Sequence, residues 1–248
     1  MGRKYKNPPI IEAVCEFRFE QGSPWDLTIP GLLYDQLKGD FPKRRTVKAF
    51  ETSLGSEQEG VLRQEVVQTA RSRFLREDEK AFIQLGPNFL AINHLQPYPT
   101  WDGFLPLIQN ALLSYQKIAN PKGVHRVGLR YVNRIDLGGN RVELEGYFDF
   151  YPFVGKGLPQ DYGPFIVGIE IPFDDGIDIL RLEMRLAVPD KSDVVPVILD
   201  LDYFLGRAGE VDLQNIDQWL RKAHSRVEHA FEGCLKDSLR EQFQEVEA

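Results

Sequence analysis

Two aspartates in the C-terminal part of the chain have the spacing that metal or acid–base chemistry uses. Asp200 and Asp202 alternate with apolar residues in the run Leu-Asp-Leu-Asp-Tyr-Phe at 199–204. Residues i and i+2 of a strand point to the same face and lie about 7 Å apart. In an enclosed site, such a pair can bind a divalent cation or divide the roles of general acid and general base.

Two neighbouring predicted strands bring further charges to the same surface. Period-two alternation places their charged residues on the polar side, and these residues are Arg126, Arg130 and Arg134 in the run 124–137 and Arg181, Glu183 and Arg185 in the run 178–188. Opposite charges on adjacent strands form ladders that stabilise a sheet by about 0.2–1 kcal/mol per pair. The pattern therefore allows three interpretations: a solvated charged face, a face that binds a partner or ligand, and a catalytic site.

The strongest candidate outside the sheet is His224, on the apolar stripe of the last predicted helix. Glu228 follows it at i+4, but His229 lies at i+5, so the helix lacks the His-x-x-x-His spacing of a metal pair. A packed histidine with one hydrogen-bond partner is the more common use of such a position. The alternative is a small-ligand or metal-dependent enzyme that uses Asp200 and Asp202 with His224. The sequence has no Gly-rich phosphate loop and no nucleophile elbow, so we expect no cofactor and no enzyme of a familiar motif class.

The charge distribution limits the classes of partner. The 248-residue chain has a net charge of −7, with 16 Lys/Arg against 14 Asp/Glu in residues 1–123 and 14 against 23 in residues 124–248. General nucleic-acid binders are normally basic, so general nucleic-acid binding is not expected. A nucleic-acid binder acting through Arg126, Arg130 and Arg134 remains an alternative. The acidic C-terminal half is explained by solubility alone, and the alternative is that it meets a basic partner.

The two cysteines and the hydropathy pattern indicate a cytoplasmic protein. Cys15 and Cys234 both lie on predicted apolar stripes and are too few for a disulfide framework, which indicates buried thiols in a reducing compartment. No apolar run approaches the length that spans a membrane, and no secretion signal is evident.

The elements that position these residues predict an α+β fold made of two similar halves. The run 7–19 alternates cleanly after Asn-Pro-Pro, so Ile11, Cys15, Phe17 and Phe19 are expected to be buried. Residues 1–123 then predict a helix, three or four antiparallel strands and a helix whose N-cap is Thr100. Residues 124–248 repeat this order, with an irregular insertion at 138–164 and one long helix running from near Asn215 toward Phe243. Each half is expected to be a curved antiparallel sheet with helices on one face. This order of elements is similar to TATA-binding-protein-like and helix-grip folds. The two halves are expected to form one compact unit.

Several segments together resemble a sporadically distributed prokaryotic family of uncharacterised proteins. The resemblance covers the N-terminal motif Asn-Pro-Pro-Ile followed by Glu-Ala-Val-Cys-Glu-Phe-Arg-Phe (7–10 and 12–19), and it continues through 82–93 with Trp101, 128–135, 199–204 and the helix 223–243. It singles out six positions, which are Arg130, Asn133, Arg134, Asp200, Asp202 and His224. A patchy distribution is typical of mobile cargo genes and of antiviral-defence genes, and the resemblance implies that some proteins of this kind lie beside CRISPR effector genes as accessories.

These observations favour a non-catalytic binding or adaptor module that is accessory to a prokaryotic multi-protein system. The candidate binding face comprises Arg126, Arg130, Asn133, Arg134, Arg181, Glu183, Arg185, Asp200 and Asp202, with His224 as a further polar candidate on the last helix. A protein partner is expected, and a membrane is not.

Overall fold

The chain folds as an α+β protein, which confirms the predicted fold class. The computed structural model describes residues 3–56, 62–139, 141–160 and 163–246. The strands are β1 (Lys4–Tyr5), β2 (Ile10–Phe19), β3 (Lys43–Ser56), β4 (Leu62–Leu75), β5 (Ala81–Gly86), β6 (Phe89–Leu95), β7 (Val124–Gly138), β8 (Ile166–Phe173), β9 (Asp178–Leu186), β10 (Val194–Leu205) and β11 (Glu245–Val246). The helices are α1 (Ile29–Leu37), α2 (Trp101–Ala119), α3 (Ile216–Cys234) and α4 (Asp237–Phe243).

Nine of these strands form one antiparallel sheet. Their order is β3-β4-β5-β6-β2-β7-β10-β9-β8, so β2 and β7 lie side by side at its centre. After β2 the chain crosses to β3 at one edge and returns through β4 and β5 to β6, which pairs with β2. After β7 the chain crosses to β8 at the other edge and returns through β9 to β10, which pairs with β7. The short strands β1 and β11 pair separately and bring the two ends of the described chain together. The internal repeat and the likeness to the two named fold types stay predictions.

The first long strand shows how alternation sorts residues between the two faces of the sheet. Ala13, Cys15, Phe17 and Phe19 are buried, as the period-two pattern predicts. The prediction for Ile11 was wrong, since this residue is only partly buried. The pairing with β7 passes from Ile10 opposite Asn133 to Glu12 opposite Val132, so Ile11 is the extra residue of an irregularity and leaves the alternation.

All four helices contribute to a hydrophobic core on one side of the sheet, which we call the helix side. The core contains the apolar stripes of α2 and α3 and the inward residues of the central strands. Buried Asp178 ties α3 to this side by accepting hydrogen bonds from Trp219 Nε1 at 2.8 Å and Tyr203 OH at 2.9 Å. We call the opposite surface the open face, because the helices pack on the other side.

The predicted single C-terminal helix is instead two helices. The backbone of Leu235 is extended, and α3 ends there before α4 begins at Asp237. Leu235 forms an isolated bridge with Phe148, and Lys236 N–H donates to the carbonyl of Tyr147 at 2.9 Å. These contacts come from the predicted insertion at 138–164, of which residues 140, 161 and 162 lie outside the described residues. Pairing with this segment competes with helical hydrogen bonding and breaks the helix.

The expectations for the two cysteines and for membrane-spanning segments can be compared with the structure. Cys15 and Cys234 are both buried, free thiols, as expected, and burial raises the pKa of each. None of the helices in the described ranges is both long enough and apolar enough to cross a bilayer.

Replacing Phe17 tests the contribution of β2 to stability. Phe17 is fully buried at the centre of the sheet, so Phe17→Ala leaves a cavity and should lower the free energy of unfolding by about 3–5 kcal/mol. Phe153→Ala is the matched control, because Phe153 is 81% exposed and its loss should change stability by less than about 0.5 kcal/mol. Urea denaturation midpoints measure both, and equal shifts would contradict the assigned burial.

Candidate functional site

The candidate site lies on the open face where β7, β10 and β9 run side by side. Alternation directs Arg130 of β7 and Arg181 of β9 to this face, and the register places both directly opposite Asp202 of β10. Asp200 stands opposite Glu183 in the same way. Eight of the nine residues predicted for the binding face share this surface. We call them the central charged face, and they are Arg126, Arg130, Arg134, Arg181, Glu183, Arg185, Asp200 and Asp202.

The strongest contact on this face joins Arg130 to Asp200. The guanidinium donates two hydrogen bonds to the carboxylate, one from Nε to Oδ1 at 2.8 Å and one from Nη2 to Oδ2. Asp200 is only 5% exposed, so its charge is compensated mainly by this bidentate pair. The hydrogen bond to Asp200 raises the pKa of Arg130 above its usual range. Buried Asp200 therefore fixes the orientation of the Arg130 guanidinium.

Asp202 is held by a second arginine from the neighbouring part of β7. Arg126 contacts Asp202 Oδ2 through Nη2 at 3.2 Å and Glu16 of β2 through Nη1 at 3.3 Å. Burial raises the pKa of Asp202, although the charges of Arg126 and Arg130 oppose this effect. The Asp202 carboxylate is thus incompletely compensated and carries an energetic cost in its ionised form.

An aromatic ring completes the surface beneath these charges. Phe204 of β10 is 9% exposed but lies outside the hydrophobic core of the helix side. Arg126 covers its ring at 4.3 Å from the centroid, and Arg181 approaches the same ring at 5.5 Å. Guanidinium groups stack on rings because they are planar and weakly hydrated. Phe204 therefore supports the arginines of both neighbouring strands.

Two adjoining recesses open between these side chains. The first has a volume of about 100 Å³ and is lined by Arg130, Arg181, Glu183, Asp200 and Asp202. The second, about 240 Å³, is more open and extends toward the edge strand β8, where it is lined by Gly168, Ile169 and Glu170 in addition to Arg181 and Glu183. Sites for drug-sized ligands enclose about 300–1,000 Å³. These recesses have the size to receive individual side chains or a few water molecules.

One residue predicted for this surface lies on the other side of the sheet. Asn133 is in phase with Tyr131 and Ile135, so it faces the helix side and is 1% exposed. Its side-chain amide donates to the carbonyl of Leu199 at 3.1 Å. Its assignment to the binding face was wrong, and its position is explained by a structural hydrogen bond across β7 and β10.

His224 also lies on the helix side, apart from the two aspartates. Its ring stacks on Trp101 with centroids 4.2 Å apart, and its Nδ1 is 3.3 Å from the hydroxyl of Tyr131. Its Nε2 is 3.3 Å from a carboxylate oxygen of Glu228. Because the sheet separates this histidine from Asp200 and Asp202, the hypothesis that the three converge in one pocket was wrong. In the part of the chain that the structure describes, His, Cys, Asp and Glu form no group of three suited to a metal ion.

The three arginines of the nucleic-acid alternative each face carboxylates. Arg126 and Arg130 contact Asp202 and Asp200, as described above. Arg134 contacts Asp136 at 3.0 Å and Asp190 at 2.7 Å. Their charge is therefore largely compensated within the protein, and the row does not form the continuous positive track that a phosphate backbone requires.

The sequence interpretation missed two members of the surface. Phe204 is in phase with Asp200 and Asp202, so the alternation already indicated that it shares their face. The alternation of residues 7–19 places Glu16 on the polar face of its strand, but nothing in the sequence shows that this strand lies beside β7. With the geometry described, comparison with known proteins adds nothing, since no protein-family model and no curated protein matches the chain.

The pH dependence of stability tests the environment of Asp202. Its raised pKa means that the folded state holds the proton more tightly than the unfolded state. The resulting stabilisation of the folded state is complete at pH values below about 3.9, the pKa of an aspartate in the unfolded state. It is lost as the pH rises through the pKa of Asp202 in the folded state. The free energy of unfolding of the wild type minus that of Asp202→Asn should therefore fall as the pH rises from 3 toward neutrality.

Urea denaturation at a series of pH values measures this difference. Asp193→Asn, at an exposed position, controls for the loss of one carboxylate and should show no comparable fall. A difference for Asp202→Asn that stays constant or rises with pH would contradict the environment described.

Proposed function

We propose that the protein is a binding module and that its central charged face binds a partner protein. The observation that carries this proposal is the pair of side-chain-sized recesses on a sheet surface opposite the helices. Recesses of this size suit the side chains of a protein surface better than an enclosed substrate. The proposed role is that of a non-catalytic adaptor.

The chemistry of the surface also suits a protein partner. Arginine and apolar side chains are typical of interface centres, where charged groups arranged in fixed orientations provide specificity. Arg181 lines both recesses, and β8 adds Ile166, which is 74% exposed and stands opposite Arg185 on the open face. A partner with a protruding basic or amide side chain can contact Glu183 and Asp202 in the first recess while its apolar residues cover β8.

The biological setting is proposed from the sequence resemblance described above. A sporadically distributed prokaryotic family fits an accessory component of a multi-protein antiviral defence system, including a CRISPR-associated one. In that setting the adaptor links components of the system, and its partner is encoded beside it. The cytoplasm is the proposed location.

Co-expression with the products of the neighbouring genes tests the proposal. The tagged wild type should capture one of these proteins, whereas Arg181→Glu should weaken the complex at least about tenfold, since an interface hot-spot arginine contributes about 2 kcal/mol or more. Lys117→Glu is the matched control, because it makes the same charge reversal at an exposed position on α2. Capture that is equally strong with Arg181→Glu, or no capture of any neighbouring product, would contradict the proposal.

A further inference from the structure

A long two-stranded ribbon extends from one edge of the sheet. Strands β3 and β4 pair along their full length, from Lys43 opposite Leu75 to Ser56 opposite Leu62. The next strand, β5, pairs only with Ser72–Leu75 of β4. Among the described strands, residues 62–71 of β4 therefore pair with β3 alone. At about 3.3 Å per residue, this part of the ribbon extends roughly 33 Å beyond the neighbouring strand.

The base of this ribbon is strongly basic in a chain whose net charge is −7. Residues 43–48 and 70–76 hold seven Lys/Arg and no Asp/Glu. Two carboxylates in the turn beyond β4 compensate part of this charge. Glu77 contacts Lys43 at 3.4 Å, and Glu79 contacts Lys43 at 3.5 Å and Arg45 at 2.7 Å. The overall negative charge that argued against general nucleic-acid binding therefore conceals a local positive region.

The positive side chains occupy both faces of the ribbon. Arg45 stands directly opposite Arg73 on the open face, whereas Arg44 and Lys48 alternate to the other face. Like charges directly opposite each other destabilise a strand pair. Arg73 also has a buried Nε for which the structure provides no hydrogen-bond acceptor. Glu79 offsets part of the repulsion between Arg45 and Arg73, and a bound anion would offset more of it.

Two of the arginines on the open face are held in place by aromatic rings. Arg71 stacks over Phe89 at 3.5 Å from the ring centroid, and Arg73 stacks over Phe82 at 4.4 Å. Stacking fixes the plane of a guanidinium and so lowers the entropy that it loses on binding a planar or tetrahedral oxyanion.

We propose that this ribbon binds duplex DNA, with the basic residues at its base contacting phosphates on both sides of a groove. A two-stranded ribbon fits the major groove of B-form DNA, which is about 12 Å wide. The ribbon beyond β5 carries Arg63 against Glu51 and Glu65 in residues 49–56 and 62–69, so the phosphate contacts are assigned to the basic base. Positive charge on both faces suits a groove that has a phosphate backbone on each side, whereas a flat acidic protein surface would contact only one face.

This inference concerns a surface at the opposite end of the sheet from β8 and goes beyond the proposed binding of a partner protein. An adaptor with both surfaces would bring its protein partner to DNA. Arg181→Glu tests only the first surface, and the experiment below tests only the second.

Fluorescence anisotropy with the full chain and a labelled DNA duplex of about two helical turns tests the inference. Binding should weaken as salt concentration rises. Arg45→Gln/Lys48→Gln removes one exposed charge from each face of the ribbon and should reduce the slope of log affinity against log salt by about 2. Lys117→Gln/Arg221→Gln makes the same net change at exposed positions on α2 and α3 and should leave the slope of the wild type unchanged.

Thermal melting verifies that both double variants remain folded, as expected for exposed positions. Failure of the wild type to bind the duplex at low salt would overturn the inference, as would equal slopes for the two double variants. Tighter binding of single-stranded DNA or polyglutamate than of the duplex would overturn the assignment to duplex DNA.

Discussion

The antiparallel pairing of β2 with β7 at the centre of the sheet is the constraint on which the rest of the structure depends. It joins strands from both parts of the chain into one nine-stranded sheet. Side chains of a strand alternate between faces, so most of the apolar residues of these strands turn to one side. The helices cover that side and form one core. Because the helices pack on the other side, the polar groups of the open face are satisfied by side chains of the same face.

The open face meets this requirement with arginines. They compensate buried carboxylates, as Arg130 does for Asp200, and they cover rings that the helix-side core does not include, as Arg126 does for Phe204. At the base of the β3–β4 ribbon the same stacking occurs over Phe82 and Phe89, and residues 43–48 and 70–76 hold no carboxylate. Stacked arginines therefore occur on two surfaces of different charge: the compensated one for which we propose a protein partner, and the positive one for which we propose phosphates. Buried ion pairs are weak evidence of stability, because the cost of desolvation offsets their attraction.

Local alternation was sufficient to predict the α+β class and the shared face of Asp200 and Asp202, because period two is a property of each strand by itself. It could not predict which strands become neighbours, so the contact between Glu16 and Arg126 was not foreseen. The partial exposure of Ile11 depends on an irregular register with β7, and the break at Leu235 depends on pairing with Phe148. These three features arise from tertiary pairing, which local patterns do not encode. The position of His224 differs from them, because its apolar stripe already indicated a helix that covers the side of the sheet opposite Asp200.

Site-specific photocrosslinking in the native host would test most directly whether the central charged face binds a protein. A photoreactive phenylalanine derivative would replace Arg185 on this face in one variant and exposed Lys117 on α2 in a second variant. Arg185 is 39% exposed, so the probe would reach a bound partner without entering the core. The account predicts one discrete crosslinked protein from position 185 and none from position 117. A crosslink from position 117 alone, or the same product from both positions, would contradict it.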